Sequence, residues 1–256
     1  MSASEKIAVV VPAYNEPSIE KTLKGLYEQE RRGDNTHHFI VDNGSIDDTR
    51  ARIEAFMRYH DDFPLTILNE EEKGTGAASD TGFRAAIDKG YSIVARTDAD
   101  SVPTSVWTSR ISDNFRTHRQ LQLLGGKSSP LRDEHYRVGD QLLLLTAVKA
   151  ARFMLALKNF DPHYLRAVVG HNMATRAQAY EATGGFERSS IDQMDEDIDY
   201  SLKVADRYDS SAIEIDPNLE VETSMRRIRQ YGIAGTALHH LFPEFRKRRK
   251  GGVDVR

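Results

Sequence analysis

The sequence of 256 residues contains no cysteine, which excludes both a disulfide framework and a metal site built from thiolates. It also lacks any uninterrupted apolar run of roughly 18 residues, the length that a membrane-spanning helix needs. The formal net charge is only −4 and the isoelectric point is near 6.2, which argues against a general nucleic-acid-binding protein. These absences together favour a cytoplasmic protein without a nucleic-acid partner.

The residues that are present are typical of a large globular α/β protein. Hydrophobic residues make up 39% and charged residues 29% of the sequence, so the chain can bury a sizeable core. In the first hundred residues, apolar runs with the pattern of buried strands alternate with helical patterns, which predicts a doubly wound, mostly parallel sheet flanked by helices. The predicted strands are Ile7–Val11, His38–Asp42, Leu65–Leu68 and Ser92–Ala95, and the predicted helices are Ser18–Glu30, Asp47–Tyr59 and Ala77–Lys89.

The second half of the sequence is less regular. It contains no internal repeat, low-complexity tract or linker long enough to separate two domains, so we predict a single domain over residues 1–256. Its predicted helices are Thr104–His118, Asp140–Lys158, Gln178–Thr183, Asp197–Arg207 and Ile233–Arg249, and its predicted strands are Leu121–Leu124, Val168–Thr175 and Ala212–Ile215.

Polar segments follow the predicted strands of the first half, at the edge where open parallel sheets bind ligands. They are Pro12–Glu16, Asp42–Ser45, Lys73–Gly76 and Asp98–Asp100. Asp98 and Asp100 come directly after an apolar strand, and alternate residues point to the same side, so both carboxylates can face one site. Two carboxylates suit Mg²⁺ or Mn²⁺, with waters and diphosphate oxygens completing the shell. A pair of solvated loop aspartates is the alternative.

A second acidic cluster occupies residues 192–199, where five carboxylates stand close together. Their mutual repulsion disfavours ionisation, whereas the N–H groups at the start of a helix stabilise anions. The cluster is interpreted either as a functional site or as an acidic helix start balanced by Lys203 and Arg207.

Two basic clusters lie towards the end of the sequence. Arg226, Arg227 and Arg229 could clamp a diphosphate through charge-assisted hydrogen bonds, or form a solvated helix face. The run Arg246–Lys250 stands beside large apolar residues, which indicates either a weak peripheral contact with an anionic membrane surface or a solubilising tail.

Taken together, these pieces resemble the inverting glycosyltransferases of glycosyltransferase family 2, which have the GT-A (nucleotide-diphospho-sugar transferase) fold. The matching segments read VVVPAYNE, FIVDNGSIDDT, GAASDTGFRAA, VARTDADS and GHNMATRAQAYEATGGF, followed by DEDID. The resemblance extends from Ile7 to about Tyr231. It depends on the order and spacing of the segments, since none of them is specific alone.

The resemblance implies a metal-dependent enzyme that moves a sugar from a nucleotide-diphosphate sugar, here a UDP-sugar, to an acceptor hydroxyl. It implies a single transfer with inversion, to a sugar, a natural product or a lipid-linked acceptor. Asp197 would be the general base, and Asp98 and Asp100 would hold Mg²⁺ or Mn²⁺. The donor-binding residues would be Pro12, Ala13, Asn15, Glu16, Asp42, Lys73 and Asp98, and the acceptor-binding residues would be Gly170, His171, Asn172 and Glu196.

The resemblance also divides the predicted domain. Residues 1–100 would form the nucleotide-sugar-binding half, residues 101–235 the acceptor-binding half, and residues 236–256 a C-terminal helix and basic tail. In that tail, His239 or His240 is a further candidate metal ligand, with ordinary surface or core histidines as the alternative. Three residues depart from the family's usual pattern, namely Asn43 and Ser101 in place of aspartate and Asp80 in place of asparagine.

Three other functions are compatible with the sequence. A retaining glycosyltransferase on the same fold is one of them, because retention cannot be read from these residues. A sugar-1-phosphate nucleotidyltransferase would require a glycine-rich loop after the first strand, which Pro12–Glu16 does not provide. A catalytically silent nucleotide-sugar binder would not need both Asp100 and Asp197.

Overall fold

The computed structural model describes residues 6–30, 36–133, 136–159, 162–188 and 196–226. These ranges form one mixed sheet of eight strands with helices packed on both faces. The strands are β1 (Ile7–Ala13), β2 (Thr36–Asp42), β3 (Leu65–Asn69), β4 (Ile93–Arg96), β5 (Ser101–Pro103), β6 (Leu123–Pro130), β7 (Met173–Arg176) and β8 (Ile213–Thr223). The helices are α1 (Ile19–Tyr27), α2 (Thr49–Tyr59), α3 (Thr75–Asp88), α4 (Trp107–Thr117), α5 (Asp140–Asn159), α6 (Ala177–Thr183) and α7 (Glu196–Tyr208).

The strand order across the sheet is β3-β2-β1-β4-β7-β6-β8-β5. The first four strands in this order are parallel to one another, and β6 is parallel to β8. β7 runs antiparallel to β4 and β6, and β5 runs antiparallel to β8. The predicted α/β fold, a mostly parallel sheet flanked by helices, is therefore confirmed.

β1 shows why the apolar runs become central strands. Every residue of β1 is buried, because helices cover both faces of the sheet. Alternate side chains of a strand point to opposite faces. Accordingly, Val9 and Val11 pack into the core beneath α1, α2 and α4, whereas Ala8 and Val10 pack into the core beneath α3, α6 and α7.

β8 extends well beyond its predicted range, Ala212–Ile215, and ends at Thr223. Pro217 lies within this strand, although proline cannot donate to a sheet ladder. The pairing of β8 with β6 shifts register between Gly126 and Lys127, and Pro217 lies within that irregularity. Its missing N–H therefore interrupts no regular ladder.

The predicted strand Val168–Thr175 is also wrong in its first part. Residues Gly170–Asn172 form a 3-10 turn, and β7 begins only at Met173. The short strand β5 was not predicted, because three residues are too few to show a period. The described helices lie close to their predicted bounds.

Among the helices that the structure describes, none is both long and apolar enough to cross a bilayer. The predicted helix Ile233–Arg249, the basic run Arg246–Lys250 and the candidate ligands His239 and His240 lie outside the described residues. The proposed membrane contact, the cytoplasmic location and the division of the domain into halves stay predictions.

Candidate functional site

A pocket opens at the carboxyl ends of β1, β2 and β4, the edge at which the sequence predicts a ligand site. The predicted residues Pro12, Ala13, Glu16, Asp98 and Asp100 meet in this pocket. The strand ends and the first turns of α3 supply the remaining walls. The full lining is Pro12, Ala13, Tyr14, Glu16, Asn43, Thr75, Ala78, Asp98, Ala99 and Asp100.

Asn15, Asp42 and Lys73, which were also predicted to bind the donor, are not among these lining residues. Asn15 has a positive φ of 46°, its backbone N–H donates to Ser45 Oγ (3.1 Å), and its side-chain oxygen accepts the N–H of Ile46 (2.9 Å). Asp42 Oδ1 accepts the N–H of Ser45 at 3.0 Å. The loops after β1 and β2 are thereby tied together. Direct contact of Asn15, Asp42 and Lys73 with a donor stays a prediction.

Asn43 fixes the loop between β3 and α3 against the end of β2. Its Nδ2 donates to the carbonyl oxygens of Glu70 (2.9 Å) and Glu72 (2.7 Å), and its Oδ1 accepts the N–H of Gly74 (2.9 Å). Lys73, in the same loop, donates from Nζ to the carbonyl oxygen of Asn43 at 3.0 Å. An aspartate could not donate to the two carbonyl groups, which gives the departure from the family's usual residue a structural reason.

The pocket is acidic on one side, where Glu16, Asp98 and Asp100 lie, and Arg226 packs against that side. Arg226 Nη2 is 2.5 Å from Glu16 Oε2 and 3.7 Å from Asp100 Oδ2. The hydrogen bond to Glu16, with the charges of Glu16 and Asp100, raises the pKa of Arg226 above its ordinary value, although burial opposes the shift. A cationic group is thus already favourable beside the two predicted metal ligands.

Asp98 and Asp100 fit a divalent cation, because they offer hard oxygen ligands at a position that tolerates positive charge. In the part of the chain that the structure describes, no group of three or more His, Asp or Glu side chains could hold a metal ion by itself. Mg²⁺ is commonly bound in nucleotide enzymes by one or two protein carboxylates together with phosphate oxygens of the nucleotide. Asp98 and Asp100 match the protein part of such a site.

Asp197, the predicted general base, lies in the first turn of α7. Its Oδ2 accepts the N–H of Gly170 at 2.6 Å, and its Oδ1 accepts the N–H of Ile198 at 2.8 Å. These two backbone N–H donors hold the side chain in one orientation.

The other predicted acceptor-side residues lie at the start of α7 and in the turn before β7. Glu196 accepts a 2.8 Å hydrogen bond from Arg96. His171 Nε2 lies 2.5 Å from Ser128 Oγ, which fixes the imidazole ring against β6. Gly170 and His171 share the 3-10 turn that precedes β7.

Asn172 belongs to the same turn, but its side chain is engaged in the core, and its predicted contact with an acceptor stays a prediction. The residue is fully buried. Its Oδ1 accepts Trp107 Nε1–H at 2.9 Å, and its Nδ2 donates to the carbonyl oxygens of Lys127 (2.8 Å) and Leu219 (2.9 Å). The amide therefore joins α4, β6 and β8 in the core.

Arg188, which the sequence did not single out, joins the segment before α7 to the first half of the chain. Its guanidinium bonds Glu70 (2.8 Å), Glu72 (3.0 Å) and Asp80 (3.2 Å). Asp80 is buried and also accepts the hydroxyl of Tyr180 at 2.9 Å. Arg188 and Tyr180 both donate to Asp80. A carboxylate, which only accepts, is therefore better satisfied at position 80 than the amide that is usual in the family.

The model of the family described as Glycosyl transferase family 2 matches residues 8–184, more than two thirds of the chain. The chain belongs to glycosyltransferase family 2. The prediction made from the ordered motifs is confirmed at this level. The match includes the pocket and its Asp98–Asp100 segment, and it ends before α7. Asp197 therefore lies outside the matched residues.

This family 2 glycosyltransferase is similar to glycosyltransferase AglE of Haloferax volcanii, with 30% identity over 105 residues that cover 41% of this chain and 33% of AglE. Its structure is similar to the mannosyltransferase PcManGT from Pyrobaculum calidifontis in complex with GDP-Man and Mn²⁺. The TM-score is 0.67 and the identity 22%, over 98% of this chain and 66% of that chain. The chain thus spans a third of AglE and about two thirds of the mannosyltransferase.

A second similar structure is glucosyl-3-phosphoglycerate synthase from Mycobacterium tuberculosis in complex with Mn²⁺, uridine diphosphate and glucosyl-3-phosphoglycerate. The TM-score is 0.65 and the identity 18%, over 93% of this chain and 79% of that chain. At these identities the similarity establishes the fold. The predicted GT-A fold is confirmed.

Asn172→Ala is expected to lower the free energy of unfolding by about 2–4 kcal/mol, because it leaves the indole N–H of Trp107 and two buried carbonyl groups without their partner. Urea denaturation followed by circular dichroism measures this change. The acceptor KM of the folded enzyme should stay within about twofold, since the hydrogen bonds of the side chain lie in the core. A raised acceptor KM at unchanged stability would instead show that the Asn172 side chain contacts the acceptor.

Proposed function

We propose that this family 2 glycosyltransferase moves a sugar from a UDP-sugar to an acceptor hydroxyl, in a single metal-dependent transfer with inversion. The proposal rests on the closeness of Asp98, which lines the pocket, to Glu196, which begins α7. One guanidinium, that of Arg96, contacts both Asp98 of the pocket and Glu196, the neighbour of Asp197. A donor diphosphate bound beside Asp98 would therefore place its sugar close to the start of α7.

Asp197 would act as the general base. An acceptor hydroxyl is a poor nucleophile, so a carboxylate within hydrogen-bond reach must remove its proton as it attacks the anomeric carbon. The N–H groups of Gly170 and Ile198 hold the Asp197 carboxylate in place for this step. Gly170, His171 and Glu196 would form the acceptor side, and attack from this side would invert the anomeric configuration.

Asp98 and Asp100 would hold a divalent cation, Mg²⁺ or Mn²⁺. When bound, the ion would supply positive charge that neutralises the departing diphosphate. Arg226 lies beside Asp100 and adds a second positive charge on the same side. Support for the cation comes from the two similar structures, both of which are complexes with Mn²⁺.

Uridine diphosphate is proposed because Asp42 ends β2 next to the pocket, where a carboxylate can accept the imide N–H of uracil. The similar synthase is a complex with uridine diphosphate, whereas the similar mannosyltransferase is a complex with GDP-Man. The choice of base is therefore the part of the proposal that an experiment must decide first.

Thermal unfolding in the presence of nucleotides tests the donor. Uridine diphosphate with Mn²⁺, at a concentration about one hundred times its Kd, should raise the Tm by about 5–10 °C, because binding at that ratio stabilises by about 2.7 kcal/mol. Uridine with Mn²⁺, and uridine diphosphate with a chelator, are the controls and should give much smaller shifts. A larger shift with guanosine or thymidine diphosphate than with uridine diphosphate would overturn the donor assignment.

A further inference from the structure

Arg96 is a buried cation at the end of a central apolar strand. It is the last residue of β4, and only 2% of its surface is exposed. A buried charge is stable only when it is paired and hydrogen-bonded. Asp98 and Asp100 are the acidic residues close to Arg96 in sequence, and the structure shows which carboxylates it binds.

The guanidinium joins two carboxylates that belong to opposite sides of the site. Its Nε and Nη2 donate to Asp98 Oδ1 at 3.2 and 3.0 Å, and its Nη1 donates to Glu196 Oε1 at 2.8 Å. Asp98 lines the donor pocket, and Glu196, which is 100 residues from Arg96 in sequence, begins α7. Arg96 therefore spans the distance between the pocket and the helix that carries Asp197.

A third contact brings Arg96 against the backbone that holds Asp197. A Cβ atom at Gly170 would lie 2.7 Å from the Cζ of Arg96, which is closer than Cβ atoms approach other groups. Glycine at position 170 therefore allows the guanidinium to pack directly against the turn. The N–H of this same glycine donates to Asp197 Oδ2.

The charges agree with this arrangement. Burial disfavours the charged guanidinium, but the negative charges of Asp98, Glu196 and Asp197 outweigh burial and raise the pKa of Arg96 above its ordinary value. The same positive charge reduces the repulsion among the three carboxylates. Without it, Asp98 and the acidic first turn of α7 would repel each other across the site.

We propose that Arg96 is a positioning residue that fixes the distance between the donor pocket and Asp197 by binding Asp98, Glu196 and the Gly170 turn at once. This inference rests on the proposed function, and it adds a residue that is not part of the lining of the donor pocket. A displacement of about 1 Å in a reacting group can cost about 10²-fold in rate. The effect of losing Arg96 should therefore fall on kcat.

The test compares Arg96→Met, which removes the charge, with Arg96→Lys, which keeps it. Arg96→Met should lower kcat per folded molecule by about 10²-fold. The KM of the acceptor and the Kd of uridine diphosphate, measured with and without Mn²⁺, should stay within about threefold. Arg96→Lys should recover about tenfold of the lost kcat and no more, because it restores a positive charge between the carboxylates but cannot make the several contacts of the planar guanidinium. Arg110→Met is the matched control, since Arg110 pairs with the buried Asp216 between α4 and β8, away from the pocket.

Gly170→Ala provides a second test that keeps both Arg96 and the backbone N–H. Its Cβ should push the guanidinium away and lower kcat by about tenfold, but by less than about threefold in the Arg96→Met background, because the two changes act through one contact.

Two outcomes overturn the inference in distinguishable ways. If the wild-type chain transfers no sugar and binds no nucleoside diphosphate, the proposed function fails and the inference fails with it. If the wild type is active, but Arg96→Met keeps more than about a third of kcat or resembles Arg110→Met, only the positioning role is wrong. Additive effects of Arg96→Met and Gly170→Ala would also contradict it.

Discussion

Asp197→Asn is expected to lower kcat by about 10²–10⁴-fold, the usual effect of removing a positioned general base. The variant should fold normally, because the asparagine oxygen can still accept the N–H of Gly170 that Asp197 accepts at 2.6 Å. Its Kd for uridine diphosphate should be close to that of the wild type, since Asp197 does not line the donor pocket. Steady-state kinetics with saturating donor and acceptor, combined with nucleotide titration, measures both quantities.

Asp199→Asn is the control for this experiment. Asp199 also lies in the first turn of α7, but it pairs with Lys203 at 2.8 Å on the same helix. Its loss should change kcat by less than about threefold, as expected for a partly exposed pair with a structural role. If Asp197→Asn keeps more than about a third of the wild-type kcat, the base lies elsewhere and Glu196 becomes the next candidate. A product that retains the donor's anomeric configuration would show that inversion itself is wrong.

Asp100→Ala is expected to abolish the part of nucleotide affinity that depends on metal. In the wild type, Mn²⁺ should tighten the binding of uridine diphosphate, because the carboxylate and the diphosphate oxygens share one cation. In the variant, the Kd with Mn²⁺ should rise by about 10²-fold or more, towards the value measured with a chelator. Isothermal titration calorimetry with uridine diphosphate, with and without Mn²⁺, measures the difference.

Uridine without phosphates separates this effect from damage to the pocket. Its affinity should be the same in the wild type and in Asp100→Ala, since the nucleoside has no diphosphate to share a cation. The variant should also keep its stability, because Arg226 retains its closer contact with Glu16. Equal affinity of the wild type for uridine diphosphate with and without a chelator would refute the metal site.

The predictions that succeeded rest on patterns contained within a few neighbouring residues. The apolar run at Ile7–Val11 predicts a strand buried on both faces, and β1 is such a strand. The polar residues after the first and fourth predicted strands meet in one pocket, since the ends of parallel strands share an edge. The acidic segment before α7 predicts a helix start, and α7 begins at Glu196.

The features that the sequence did not predict concern groups whose partners are far away in sequence. Asn172 looks like a polar residue beside an acceptor site, yet Trp107 and two backbone carbonyl groups bind its amide in the core. The first part of the predicted strand Val168–Thr175 is a 3-10 turn instead, and the N–H of Gly170 in that turn donates to Asp197. In each case a distant donor or acceptor outcompeted the local interaction.

The family, the order of strands and helices in the first half and the residues at the strand ends can be predicted from the amino-acid sequence, because hydrophobic period and motif spacing are local properties of a chain. The pairing of charges follows instead from the three-dimensional packing. This packing places Arg96 between Asp98 and Glu196, and Arg226 beside Glu16, because burial makes an unpaired charge costly and packing selects its partner from any part of the chain.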